Sequence, residues 1–175
     1  SANALMQHPQ VRLVVVTGGP GVVKAAMQSG KRAICAGPGN PPVVVDETAD
    51  IDKAGRDIVF GGSLDNNIIC VDEKTIIAVH SIADDLIKAM IRHGAVLLTP
   101  AQARQAERLL FTEVKGPRQS AVVDKTLIGK NADVILSRIG MNVEPRVRLG
   151  LIEVDAGHPL VWTEQMVPIL PVVRV

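Results

Sequence analysis

Val11-Arg12-Leu13-Val14-Val15-Val16-Thr17-Gly18-Gly19-Pro20-Gly21-Val22-Val23-Lys24-Ala25-Ala26-Met27-Gln28-Ser29-Gly30-Lys31-Arg32-Ala33-Ile34-Cys35-Ala36 carries the fold in miniature. A β-branched apolar run over residues 11–17 reads as a buried strand, and the glycine–proline cluster at 18–21 stops it. Residues 22–29 read as a helix closed by Gly30, a common C-terminal stop. Residues 31–36 return as a second strand. Strand, tight turn, helix and strand in that order form a βαβ unit, which requires a parallel pair with a crossover.

The same rhythm continues along the chain. Gly37-Pro38-Gly39-Asn40-Pro41-Pro42 is a rigid loop that cannot be helical. Residues 43–45 form a short strand, and 50–60 a helix with acidic residues in its first turn. Residues 75–79 are a strand. Ser81 is expected to cap a helix reaching His93, with Asp84 completing a capping-box-like pattern and Gly94 ending it. Residues 95–98 are a strand, and Thr99-Pro100 opens a helix to about Leu110 by the cap-plus-proline rule. Residues 125–139 read as mostly helical and 147–154 as mostly strand. Residues 167–175 are apolar but broken by Pro168 and Pro171, which assigns them to a sheet edge at best. The expected fold class is α/β: a three-layer, open, mostly parallel sheet flanked by helices.

Composition agrees with such a fold. Of the 175 residues, 47% are hydrophobic and only 2% aromatic, so the core must be built from Val, Ile, Leu and Ala. A net charge of +1 speaks against nucleic acid or an anionic membrane as partner. No apolar run approaches the ~20 residues needed to span a bilayer. Two cysteines, Cys35 and Cys70, make no disulfide framework, and four histidines without Cys/His clustering make no zinc site.

The chemistry centres on Gly61-Gly62-Ser63-Leu64-Asp65-Asn66-Asn67-Ile68-Ile69-Cys70, a helix-to-strand junction ending in a lone sulfur. A thiol beside amide donors and glycine backbone suits a nucleophile that must meet a planar electrophile. Taken alone, this window is better read as the site of a small, buried, apolar cysteine. Asn66 and Asn67 read as loop-capping residues, and Cys35, in an apolar strand, as structural. The turn Thr17-Gly18-Gly19-Pro20-Gly21 aims backbone N–H groups outward, but it fits neither the dinucleotide nor the P-loop spacing. Arg104, Arg108, Lys115 and Arg118 are read equally well as a solvated face or as contacts for phosphates.

Taken together, four windows resemble the aldehyde dehydrogenase superfamily. They are Thr17-Gly18-Gly19; Gly37-Pro38-Gly39-Asn40-Pro41-Pro42 with the trailing Asp50-Ile51-Asp52-Lys53-Ala54; the Cys70 window; and Glu164-Gln165-Met166-Val167-Pro168-Ile169-Leu170-Pro171. The resemblance implies Cys70 as the catalytic nucleophile, with Thr17, Gly18, Gly19 and Glu164 binding NAD. It places Ala36 where hydrolytic members carry a general-base Glu. Without that carboxylate, water loses its activation and a thiol becomes the better acyl acceptor. The wording of the second and third windows is similar to the CoA-acylating branch serving ethanolamine utilisation, with a propionaldehyde-specific relative in propanediol utilisation. That branch implies a small aldehyde substrate, NAD as cofactor and coenzyme A as co-substrate. It also implies a homo-oligomeric full-length enzyme, and shell or lumen proteins of a cytoplasmic bacterial microcompartment as partners.

Residues 1–36 are then expected to be the last strand–helix–strand portion of a cofactor-binding domain, and 37–175 a thiol domain lacking its C-terminal return segment. Such an excerpt is expected to fold but not to turn over. A reading from another class is a catalytically inactive structural or scaffold-binding module.

Overall fold

The computed structural model describes all of residues 1–175. The chain divides into two compact units, Ser1–Gly39 and Asn40–Val175. The first holds α1 (Ala2–Gln7), β1 (Leu13–Thr17), α2 (Pro20–Met27) and β2 (Arg32–Ala36). Strands β1 and β2 pair in parallel from Leu13↔Arg32 to Thr17↔Ala36, as the βαβ pattern requires. Pro20 sits in the first turn of α2, where its missing N–H would be unpaired anyway. Met6, Val14 and Ala26 form a small core against which Val11, Val16, Ala25 and Cys35 pack.

The second unit holds β3 (Pro42–Val45), α3 (Ile51–Gly62), β4 (Thr75–Ala78), α4 (His80–Arg92), β5 (Ala95–Leu97), α5 (Pro100–Leu110), β6 (Phe111–Glu113), β7 (Val122–Val123), α6 (Ala132–Ser137), β8 (Leu149–Glu153) and β9 (Ile169–Arg174). A five-stranded sheet in the order β3-β4-β9-β8-β5 is parallel throughout. Alternate residues of its strands feed two cores. Ile76, Ala78, Leu149, Leu151, Leu170 and Val172 meet Ile58, Val59, Leu86, Ile87 and Met90 of α3 and α4. Ile152 and Ile169 meet Ala106, Leu110, Ile135 and Leu136 of α5 and α6. Each fully buried aliphatic side chain contributes about 1.5–3 kcal/mol. Helix layers on both faces of a parallel sheet give the three layers expected of this unit. β6 and β7 make a small separate antiparallel pair.

Helix starts follow the sequence closely at two places. The Asp50 carboxylate accepts from Lys53 N at 3.1 Å, and Thr99 with Gln102 closes a full capping box at α5. Three expectations need correction. Helix α4 begins at His80 with no side-chain cap, because the sheet ladder runs into it: His80 N donates to Val175 O at 2.7 Å. Ser81 is therefore inside the first turn, and Asp84 pairs with Arg174 at 2.6 Å instead of capping. The helix expected over residues 125–139 shrinks to Ala132–Ser137. Asp124 takes the Thr126 N–H and hydroxyl, both at 2.8 Å, and Gly129 turns left-handed at φ +72. That local side-chain bonding outcompetes the helix.

The third correction is the largest: β9 lies at the centre of the sheet, between β4 and β8. Val175 N donates to Ala78 O at 3.0 Å, so stepping back by twos along the ladder makes residue 171 the donor due at Lys74 O. Residue 171 is a proline and has no N–H. The fully buried Gln165 fills the gap, its Nε2 donating to Lys74 O at 3.0 Å and to Ile169 O at 3.2 Å. A side-chain amide thus stands in for the missing backbone donor.

Two variants test this packing. A Cβ at Gly55 would lie 2.6 Å from Ala89 Cβ and 2.9 Å from Met90 N, so α3 approaches α4 through the absent side chain. Gly55→Ala gains about 1 kcal/mol of helix propensity but is expected to lose ~1–3 kcal/mol net through overpacking; a rise in the urea midpoint would refute the close contact. Gln165→Leu should lose about 1–3 kcal/mol by orphaning buried carbonyls. Adding Pro171→Ala should restore part of it by returning the ladder N–H, and an additive double mutant would contradict that account.

Candidate active site

The sequence-derived nucleophile lies in the loop joining α3 to β4. Its entry is made by Asp65, Asn66 and Asn67, all left-handed at φ 44, 55 and 65. Asn and Asp tolerate that region better than other non-glycine residues, which is the physical use of this polar run. The loop exits through Ile69-Cys70-Val71-Asp72, a turn closed by Asp72 N donating to Ile69 O at 3.1 Å. The Asp72 carboxylate accepts from Ile69 N at 3.2 Å and locks the turn from within. Cys70 occupies a corner of this turn, and its side chain is exposed. Val71 beside it is also exposed, while Asp72 is buried. The buried-thiol reading of Cys70 is therefore removed.

Inside the loop the packing is polar and nearly complete. The Asn67 amide nitrogen donates to Gly62 O at 2.8 Å and Glu73 O at 3.0 Å. Its Oδ1 accepts from Lys74 Nζ at 2.9 Å, and its backbone carbonyl accepts from the same ammonium. Asn66 reaches outward instead, donating to Gly129 O at 3.0 Å and Asn131 Oδ1 at 2.9 Å. Gly129 N in turn donates to Met166 O at 3.2 Å, and Ile68 packs where a side chain at Gly129 would stand. The Glu164 segment and the Cys70 loop are thereby fastened to a common strip of backbone.

Lys74 is the residue that sequence reading missed. It is a lysine with no exposed surface, at the first residue after an acidic pair, and it looks in sequence like part of a solvated turn. Burial pushes its pKa below the ordinary lysine range, while the charges of Asp72, Glu164 and a Cys70 thiolate act in the opposite direction. Burial likewise pushes Asp72 up, opposed first by Lys74 and then by the Ile69 N–H. The half-buried Glu164 therefore shares one electrostatic neighbourhood with Cys70 and Lys74. Asp72 and Gln165 were equally silent in sequence; the single available signal was a proline at 171 inside a strand, which demands a substitute donor.

Thr17, Gly18 and Gly19 lie in the first unit, exposed at the carboxyl end of β1. Gly18 has φ +151 and donates its N–H to Ala36 O at 3.1 Å. Gly19 precedes α2 with no side-chain cap bond, and a Cβ there would meet nothing within 4 Å. A turn of this kind leaves free helix-end N–H groups and close backbone access for an anionic or amide ligand. Cys35 is half-buried beside Met6, Val14 and Ala26. No group of three or more His, Cys, Asp or Glu is placed to hold a metal ion, and no helix is long and apolar enough to cross a membrane.

Residues 1–175 match the aldehyde dehydrogenase family along their whole length. The chain is 48% identical over 176 residues to the acetylating acetaldehyde dehydrogenase EutE of Salmonella typhimurium, covering 100% of this chain and 38% of that protein. It is 41% identical to the CoA-propanoylating propanal dehydrogenase of the same organism, covering 100% of this chain and 36% of that protein. The propionaldehyde dehydrogenase of Rhodopseudomonas palustris, solved with bound propionyl-CoA, is 50% identical with a TM-score of 0.90 over 99% of this chain and 37% of that one. A propionaldehyde dehydrogenase from the Clostridium phytofermentans fucose utilisation microcompartment is 41% identical with a TM-score of 0.89, over 99% of this chain and 39% of that one. The chain thus spans less than two fifths of the length of these relatives.

The exposure difference between the two thiols has a direct readout. Limiting iodoacetamide at neutral pH, followed by peptide mapping, should label Cys70 well ahead of Cys35, since access governs the rate once thiolate is present. Dominant labelling of Cys35 would remove Cys70 from consideration.

Proposed function

Because the chain belongs to the aldehyde dehydrogenase family, we propose that it supplies the thiol centre of a CoA-acylating aldehyde dehydrogenase acting on acetaldehyde or propionaldehyde. In this reading residues 1–36 are the last strand–helix–strand portion of a cofactor-binding domain and residues 37–175 a thiol domain, while the compact units divide at Gly39 and Asn40. The observation that carries it is the exposed Cys70 at the corner of an internally locked turn, in a chain so similar to acylating relatives.

The Cys70 sulfur attacks the aldehyde carbonyl carbon and forms the C–S bond of a thiohemiacetal. Thr17, Gly18 and Gly19 of the first unit and Glu164 of the second are the residues that would hold NAD, which would supply the hydride acceptor when bound. Loss of hydride from carbon and of the hydroxyl proton leaves an acyl thioester on Cys70. The thiol of coenzyme A attacks that thioester, and the Cys70 sulfur departs as leaving group and regains its resting state. The balance is aldehyde, NAD⁺ and CoA to acyl-CoA, NADH and a proton. At Gly19 a Cβ would meet nothing within 4 Å, and that open backbone ahead of α2 supports the approach of a dinucleotide there. Ala36 brings no carboxylate to activate water, which favours the thiol as acceptor.

Acetaldehyde and propionaldehyde are both retained as substrates because relatives named for each are similar over the whole chain. Location in a bacterial microcompartment, assembly as a homo-oligomer and contact with shell or lumen proteins belong to the same proposal; the likeness to the fucose-microcompartment enzyme supports the location.

The test uses the complete protein that contains this chain, with aldehyde, NAD and CoA, following NADH and acyl-CoA together. Cys70→Ala should lower acyl-CoA formation by about 10³-fold or more, as removal of a nucleophile does; near-normal turnover would overturn the assignment. Ala36→Glu should raise the ratio of carboxylic acid to acyl-CoA by ~10-fold or more, since a positioned base is worth ~10²–10⁴. An unchanged ratio would show that Ala36 does not stand at the base position.

A further inference from the structure

Three segments of the second unit meet on a single residue. The Lys74 N–H donates to Pro41 O at 2.9 Å, and its carbonyl accepts from Gln165 Nε2 at 3.0 Å. Its ammonium donates to Asn67 O and, at 2.9 Å, to Asn67 Oδ1. The loop before β3, the nucleophile loop and the Glu164 segment are therefore tied to one point. The side chain has no exposed surface. An ammonium taken so far from water persists only with hydrogen-bond partners and countercharge. The partners are both on Asn67, the residue whose own amide closes the loop onto Gly62 and Glu73. The groups facing the charge are Asp72 and Cys70 on the loop and Glu164 on the opposite segment, with Asp65 acting on Asp72.

A methionine would fill much of the same volume without donating. The polar contacts are therefore what the lysine adds, and they fall on the residue that sets the course of the loop into Cys70. We propose that Lys74 is a positioning residue, whose buried ammonium clamps Asn67 and so holds the Cys70 turn in register with the Glu164 segment. The proposal rests on Cys70 being the nucleophile, but its structural half stands apart from that reading. Asn67 must stay left-handed at φ 65 for the chain to turn toward Ile68. Without the clamp that conformation has less to hold it, and the Ile69–Asp72 turn should loosen while the sheet stays intact.

The experiment has two arms. In the full chain, Lys74→Met should speed amide exchange at Ile69 and Asp72 by about tenfold or more, the equivalent of one lost charge-assisted hydrogen bond. Amides of β4, β8 and β9 should keep their protection, because the backbone bonds of residue 74 remain. In the complete protein, the same variant should lower kcat by ~10²-fold, as misplacement of a reacting group by about 1 Å does. The KM for aldehyde should stay within about threefold, as expected when ground-state binding is intact. Asn67→Gly, which the left-handed backbone accepts, removes the Oδ1 acceptor together with the amide bonds to Gly62 O and Glu73 O and should loosen the same turn at least as much in both arms. It covers the case in which Lys74→Met does not fold. Uniform loss of protection across the sheet, or no change at Ile69 and Asp72, would overturn the proposal. A wild-type protein that does not oxidise aldehydes would sink the functional reading and leave the exchange arm to decide the role of Lys74.

Discussion

A proline in a central parallel strand leaves one carbonyl of the neighbouring strand without a donor, and the bond from Gln165 to Lys74 O answers that constraint. The consequences reach beyond the sheet. Gln165 can fill the gap only if residues 164–168 fold back beside the start of β4, and that path places Glu164 near the loop carrying Cys70. Repair of the ladder and assembly of the site are the same event. The buried Gln165 Oε1, which has no partner of its own, shows how strongly the donor side of this amide is required.

From that anchor the site is built by backbone conformation more than by side-chain bulk. Left-handed Asp65, Asn66 and Asn67 reverse the chain after α3, and a four-residue turn returns it to β4 with Cys70 on the outside. The polar interior of this loop combines an ammonium with two buried or half-buried carboxylates, Asp72 and Glu164. Burial disfavours the charged forms of both Lys74 and Asp72, each of these two favours the other's charge, and Glu164 acts on Lys74 in the same direction as Asp72 does. Such an arrangement stabilises one geometry at the expense of alternatives, which suits the nucleophile role proposed for Cys70.

Local order along the chain was largely legible because its signals are short-range. Apolar runs of strand length, Thr99-Pro100 with Gln102, and Asp50 ahead of a helix each act within a few residues, and each is where the sequence places it. The failures share one cause. At Ser81 the ladder bond from His80 to Val175 decides where the helix begins, and at residues 125–139 the Asp124–Thr126 turn and Gly129 override a helical composition. At Pro171 a local rule about prolines was correct about the missing donor and wrong about the position. A partner six residues upstream supplies that donor, to Lys74 O, only once the chain has folded back.

The amino-acid sequence by itself determined the βαβ alternation, the aliphatic parallel-sheet core and the candidate thiol with its family resemblance. All of these depend on residue type and spacing along the chain. Only the tertiary structure decided that Cys70 is outward and Cys35 half-buried, that β9 is central, and that Lys74 is an interior cation joining three segments. Burial and hydrogen-bond closure are properties of residues distant in sequence and adjacent in space. A lysine at a polar turn carries no local mark of whether water or an asparagine will accept its hydrogen bonds.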